Sequence, residues 1–362
     1  MITKINFYFP DKTLRNKIES QGQIMKIELH MSSIMPMVEF LRDLKNGRAD
    51  KNQISDIFSH PDYDFEFRRY EIASKAPLID YFMKINTIDE SEIPELHSDR
   101  KNMLKYKHKR WLEAYESPGY YEALHDKIKA FITPDTLEDI CVKVKKGLPA
   151  NTDIDDIRII STMSIGTSFG YVFDKAIHFD IMGFDNGGLN TLPSQIAHEV
   201  HHLALWKWVS AFIDSFTLEE RYIFNLSGEG LAIKFCNNAK GAVSKAIDDL
   251  HPVNEGLDDF SINYLNEHFD ETMKVFKDTL IDIRSGKMNK EEMYKQFEDY
   301  WWNPYTEDQN FGDEPLLKQS RIYSFGNDLF GTIYDVYGAE TLFDCVRHPL
   351  KAVEYFKLAI GK

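Results

Sequence analysis

From about Ile24 to Lys146, apolar residues recur three and four positions apart. The stretches "IMPMVEFLRDL", "FRRYEIASKAPLIDYFMKI", "MLKYKHKRWLEAYE" and "LEDICVKVKKGL" all carry this spacing, which is the period of helices with one buried face. Proline and glycine with short polar neighbours interrupt it at "SHPDYD", "ESPGYY" and "ITPDT", so helices are predicted to end or begin there. After "GLPANTDIDD" the pattern changes. "IRIISTMSIGTSFGYVFDKAIHFDIMGF" is rich in Ile, Val and Phe and alternates in "AIHFDI", which predicts strands, with Gly166 and Gly170 as bends. Beyond Pro193 the helical spacing returns and holds nearly to the end. A small sheet between two helical regions predicts an α+β fold: a mainly helical region over 1–150, then a second domain over 151–362.

Composition narrows the class. The 362 residues suffice for one large domain or two modest ones, and 43% hydrophobic content with 25 Phe and 18 Tyr supplies a core without disulfides or a structural metal. A net charge of −15, spread along the chain, repels phosphate backbones and argues against nucleic acid as a partner. The one basic cluster, "KNMLKYKHKRW", reads as a solvated helix face. Cys141, Cys236 and Cys345 lie far apart and form no CxxC pair, which suggests buried thiols in a reducing compartment. No apolar run reaches membrane-spanning or leader length, so no membrane partner is expected and the pattern is cytoplasmic, although a secreted chain trimmed of its leader would share it. The oligomeric state is not legible.

The chemistry is concentrated in "PSQIAHEVHHLALW", Pro193 to Trp206. His198 and His202 are four apart, so their imidazoles project from one helical face and both can reach an ion about 2 Å away, as zinc requires. Glu199 is rotated roughly 100° from His198, off the coordination plane but within reach of a water beside the metal. This is the HExxH arrangement, in which two histidines hold zinc and the glutamate takes a proton from water. Burying such a run among apolar flanks without a partner would cost several kcal/mol, roughly, and a metal ion removes that cost. His201 is expected to point beside the site, into a hydrogen bond.

A catalytic zinc takes three protein ligands and keeps one open position. The metzincin pattern needs Gly and His where this chain has Leu205 and Trp208, so that class is excluded. Downstream, "NLSGEGLAIKF" places Glu229 in an apolar segment where a carboxylate needs a positive partner, and Gly228, Gly230 and Ala232 would let this backbone approach the HExxH helix. HExxH followed some 26 residues later by EGxA resembles the gluzincin metallopeptidases, and more narrowly a group of uncharacterised zinc-dependent peptidases with that EGxA segment. The likeness runs from about Ile157 to the C-terminus.

The resemblance implies a zincin-like catalytic domain, with His198, His202 and Glu229 as zinc ligands, Glu199 as general base, and an edge strand at "KAIHFDIMGF" binding extended peptide substrate. It also exposes a departure. Thermolysin-type members carry an Asp four residues after the glutamate ligand to orient a zinc histidine, and this chain has Ile233 there, leaving Asp180 or Asp214 as substitutes. "GTIYDVYG" nearly spells an aspzincin motif, but its Asp335 stands one position late and turned about 100° off the required face, so it ranks below Glu229. For the oxyanion donor, Tyr323, Tyr334, Tyr337 and His348 are available, and Tyr323, three residues before Gly326, occupies the place expected in the EGxA group. Three readings follow: a zinc peptidase, a zinc hydrolase of another amide or ester, and a zinc-binding protein without turnover. Retention of Glu199 speaks against the last, because a purely structural site needs no base.

Overall fold

The computed structural model of the chain describes residues 5–8, 25–96, 103–150, 152, 157–166, 170–184, 188–248, 254–302, 317 and 319–361. They form two compact units, one of residues 1–138 and 154–190, the other of 139–153 and 191–362. Helices and a mixed sheet make the fold α+β.

The sheet belongs to the first unit. Its strands are β1 (Ile5–Tyr8), β2 (Met25–His30), β3 (Ile157–Thr162), β4 (Gly170–Phe173) and β5 (Ala176–Asp180), in the spatial order β1-β2-β3-β5-β4. All neighbours are parallel except β4, which runs antiparallel to β5. The helical region read from about Ile24 therefore begins only at Ile34. "MKIELH" alternates apolar and polar residues and pairs with β3, Ile27 opposite Ile157 and Leu29 opposite Ile159. A second difference concerns β5. It is paired on both sides and every residue in it is buried, so its ladder is closed and it is not the edge strand that the resemblance implied.

The helices of this unit are α1 (Ile34–Lys45), α2 (Lys51–Phe58), α3 (Pro61–Arg69), α4 (Ala76–Met83), α5 (Met103–Glu116) and α6 (Pro118–Phe131); α7 (Pro134–Lys146) follows, and from Asp139 onward its residues belong to the second unit. Asp50 accepts the amides of Asn52 and Gln53 to open α2, and proline stands in the first turn of α3, α4 and α6.

The ends of β3 and β5 are fastened by buried polar groups. Glu66 of α3, fully buried, accepts from Thr162 Oγ1, from Ser164 Oγ at 2.8 Å and from the Ile165 amide at 3.1 Å, and lies 3.3 Å from His178 Nε2. Asp180 accepts the amides of Ser164 and Met182 and pairs with Lys107 of α5. The basic cluster on α5 is thus not simply a solvated face. Lys107 and His108 are buried, the latter bonded to Tyr81, and Arg110 donates to the Met182 carbonyl, while Tyr106 is exposed. Burial alone would raise the Glu66 carboxyl; His178 and the hydroxyls of Thr162 and Ser164 outweigh it and hold the group below its ordinary 4.5. A carboxyl lowered in the folded state stabilises above its unfolded pKa and loses that contribution as pH falls through the folded value. The urea midpoint, followed by circular dichroism, should therefore drop as pH is lowered below about 4.5. Glu66→Gln should flatten that dependence and cost about 3 kcal/mol at neutral pH; an unchanged acid slope would refute the assignment.

The second unit is helical: α8 (Leu192–Val209), α9 (Leu218–Asn225), α10 (Ser227–Cys236), α11 (Asp259–Glu267), α12 (Phe269–Arg284), α13 (Lys290–Gln296), α14 (Arg321–Gly326), α15 (Thr332–Arg347) and α16 (Pro349–Ala359). Its core gathers Tyr222, Phe276, Phe297, Trp301 and Phe325, with Trp301 Nε1 donating to Tyr222 Oη at 3.0 Å. Helix α10 runs through this core and is buried along nearly its whole length. The three cysteines are free and buried. Among the described residues, no helix is long and apolar enough to cross a membrane.

Candidate metal centre

Helix α8 begins beside Thr191, with Pro193 in its first turn, and is apolar on almost every side. Such a helix is stable only when surrounded, and ten of its eighteen residues are buried, His198 and His201 among them. α9 opens with a capping box between Thr217 and Glu220 and passes through Leu226, itself in helical geometry, into α10. Glu229 falls in the first turn of α10, where the helix dipole favours a carboxylate.

α8 and α10 bring His198, His202 and Glu229 together. His198 Nε2 lies 2.9 Å and His202 Nε2 3.3 Å from Glu229 Oε2, the two imidazole nitrogens are 3.0 Å apart, and the three donor atoms all fall within 4.8 Å of one another. His198 and Glu229 are buried and His202 half-buried. Burial would drive His198 toward its neutral form, but the Glu229 carboxylate outweighs it and lifts the imidazole to about 9. Burial likewise opposes the Glu229 anion, and the two histidines overcome it, holding the carboxyl far below its usual range. The His198 imidazole and the Glu229 carboxylate thus each favour the other's charged form against burial. Two nitrogens and one oxygen converging on a common point are the donor types and number of a zinc site with an open position, so these residues fit the metal.

Glu199 is half-buried beside this cluster. Burial raises its carboxyl and the Glu229 charge adds to that, while His198 and His202 oppose both. Tyr323 of α14 stacks on His198, with ring centres 6.0 Å apart and planes 17° apart, and its hydroxyl is hydrogen-bonded to Glu229. Burial, with Glu229 and Glu199 nearby, raises its phenol well above 10, so it stays protonated. The geometry that places it is a backbone contact. A Cβ on Gly230 would stand 2.1 Å from the carbonyl carbon of Gly326, and one on Gly326 would stand 2.3 Å from the Leu226 oxygen, so only glycines let α10 and α14 approach this closely. Gly228, Gly230 and Ala232 were expected to serve an approach to the HExxH helix; Gly230 serves α14 instead, and Gly228 has open space where a Cβ would go.

The other candidates lie elsewhere. His201 is buried and donates from Nε2 to the Gly147 carbonyl at 3.2 Å, and burial together with the adjacent His202 lowers it to about 3, so it is neutral and outside the cluster. Asp335 accepts from Lys234 Nζ at 2.7 Å and from the Lys245 amide at 2.8 Å. Tyr334 packs on Phe235, Tyr337 on Tyr355, and His348 is exposed beside Asp344. Neither aspartate suggested as the histidine-orienting group serves that purpose: Asp180 is committed to Lys107 and two amides within the first unit, and Asp214 is exposed in a 3-10 turn. The partner of His198 Nδ1 is Asn237, whose Oδ1 lies 2.7 Å away at the C-terminal end of α10. Nothing in the spacing of "KFCNNAKG" singles out Asn237, because its role depends on where α10 meets α8.

The chain matches no curated protein and no solved structure. A model of the zinc-dependent family described as "Putative zinc dependent peptidase (DUF5700)" matches residues 54–362, most of the chain and all of the cluster above, and the protein belongs to that family.

Proposed function

We propose that the protein is a zinc peptidase of the gluzincin kind, with a zincin-like catalytic domain and a peptide or protein as substrate. His198, His202 and Glu229 hold the metal, Glu199 is the general base and Tyr323 the oxyanion donor. The observation that carries the reading is the convergence of His198, His202 and Glu229, with the Tyr323 hydroxyl on the same carboxylate. Bound there, zinc supplies Lewis acidity, polarising a carbonyl and acidifying water.

The remaining work falls to side chains. Glu199 stands half-buried beside the cluster, where burial moves its carboxyl up from the ordinary 4.5, the direction that suits a group that must first accept and then release a proton. It takes the proton of the attacking water and passes it to the leaving amine. Tyr323 keeps its proton and offers a hydrogen bond to the oxygen on which negative charge develops. His201 stays neutral, holding α8 to the Gly147 carbonyl. A phosphate-backbone substrate is disfavoured by the net charge of −15.

The test is digestion of a peptide library by the zinc-loaded protein, with new termini read by mass spectrometry. Cleavage abolished by a chelator and restored by zinc is the expected result. Turnover of ester or acyl-amide substrates with an intact peptide library would replace this reading with the non-peptidase hydrolase, and zinc binding without any turnover would reject catalysis.

A further inference from the structure

His198 has two ring nitrogens and the cluster uses only Nε2, which faces Glu229. For Nε2 to present a lone pair to a metal, the ring proton must sit on Nδ1, and something must keep it there. Ile233 stands where thermolysin-type relatives carry an aspartate for this purpose, and an isoleucine cannot accept a hydrogen bond. Asn237 Oδ1 lies 2.7 Å from Nδ1, and an amide oxygen only accepts.

The orientation of that amide is itself determined. Asn237 Nδ2 donates to the Glu255 carbonyl at 2.6 Å, so rotating the amide by half a turn would set an NH2 group against the Nδ1 hydrogen and one carbonyl oxygen against another. The main chain is held as well: the Asn237 amide donates to Ile233 and its carbonyl accepts from Glu255 N at 2.9 Å. The turn carrying Glu255 is closed by Leu257 N donating to Asn254 O. It uses Gly256 at φ +78°, a conformation a side chain would strain, and a Cβ there would lie 2.9 Å from Gln195 Cγ on α8. The Glu255 carboxylate is bound by Lys143 Nζ of α7 and by Ser194 Oγ, one helical turn before His198. Lys143 also donates to Ser194 Oγ at 2.8 Å.

We propose that Asn237, locked by the Glu255 turn, is the residue that positions His198 as a metal ligand, replacing the missing aspartate with a neutral amide anchored through Glu255 to α7 and α8. The proposal rests on the metal reading above, and its test separates the two. Zinc affinity is measured on the folded full chain by competition with a chromophoric chelator, and the His198 tautomer is read from 15N–1H imidazole correlations of the zinc-bound protein. Asn237→Leu should weaken zinc about 10–100-fold and lose the defined Nδ1–H signature. Asn237→Asp, which restores an acceptor, should bind at least as tightly as wild type and keep that signature. If Asn237→Leu does not fold, Asn237→Ser, too short to reach Nδ1, should show the same loss. Wild-type affinity in the folded Leu or Ser variant, or loss in the Asp variant equal to theirs, would overturn the positioning role; failure of the wild type itself to bind zinc would overturn the metal reading instead.

Discussion

Glu199→Gln is expected to retain one zinc per chain and to lose hydrolysis. Glutamine has the shape of glutamate but cannot accept a proton from water, and loss of a general base lowers kcat by about 10²- to 10⁴-fold, which is roughly 3–5 kcal/mol of transition-state free energy. The donors His198, His202 and Glu229 remain, so elemental analysis should read the same metal content as wild type. Stability supplies an internal control. Because burial and the Glu229 charge raise the Glu199 carboxyl in the folded metal-free protein, its ionised form is a cost to folding at neutral pH, and removing the charge should leave the metal-free Tm equal or higher. Activity lost with metal and Tm retained identifies a base; activity retained within tenfold of wild type would remove Glu199 from the mechanism.

That prediction depends on a balance of charges that a sequence does not display. Glu199, next to His198 on α8, and Glu229, on α10, end shifted in opposite directions although burial raises both carboxyls and the same two histidines lower both. Glu229 is hydrogen-bonded to both histidines and is held ionised. Glu199 feels the same histidines only through space, and desolvation prevails. Two carboxyls whose environments push them apart are suited to different tasks, ligand and base.

What the sequence made legible was local. Four-residue spacing placed His198 and His202 on one face of α8, and prolines marked the starts of α3, α6 and α7. Glu229 stood out as a carboxylate in an apolar segment, its ligand role being what the EGxA resemblance implied, and α10 is buried along nearly its full length. The misses are contacts between residues remote in sequence. β2 is a strand because β3 lies beside it, and β5 loses its edge because β4 folds back onto it. Lys107 looked like one more surface lysine, although its carboxylate partner, Asp180, lies 73 residues on. Asn237 escaped because an asparagine at a helix end is ordinarily only a cap, and no periodicity records that His198, 39 residues earlier, lies opposite. Gly230 and Gly326 show the intermediate case: both stood out as glycines, but only the fold pairs them.

Glu229→Ala and Asp335→Ala should part cleanly, although both remove a buried or half-buried carboxylate from the same unit. Loss of Glu229 takes a donor from the cluster, and zinc affinity should fall by more than roughly 100-fold, since removing even a partner one step away from a metal costs about 10- to 100-fold. Asp335 has a different duty. It neutralises Lys234, whose side chain is fully buried on α10, and accepts the Lys245 amide. Its removal takes the Asp335 carboxylate from the buried Lys234 ammonium, a cost of about 3 kcal/mol, while the three residues of the cluster are untouched. The expected pair of results is therefore metal lost with the fold retained for Glu229→Ala, and a Tm lowered by several degrees with zinc retained by the folded fraction for Asp335→Ala. Titrating both variants with zinc under a chelator buffer, alongside thermal melts, reads both quantities on one sample. Zinc retained by Glu229→Ala and lost by Asp335→Ala would transfer the third ligand to α15 and dissolve the cluster of His198, His202 and Glu229 as a metal site.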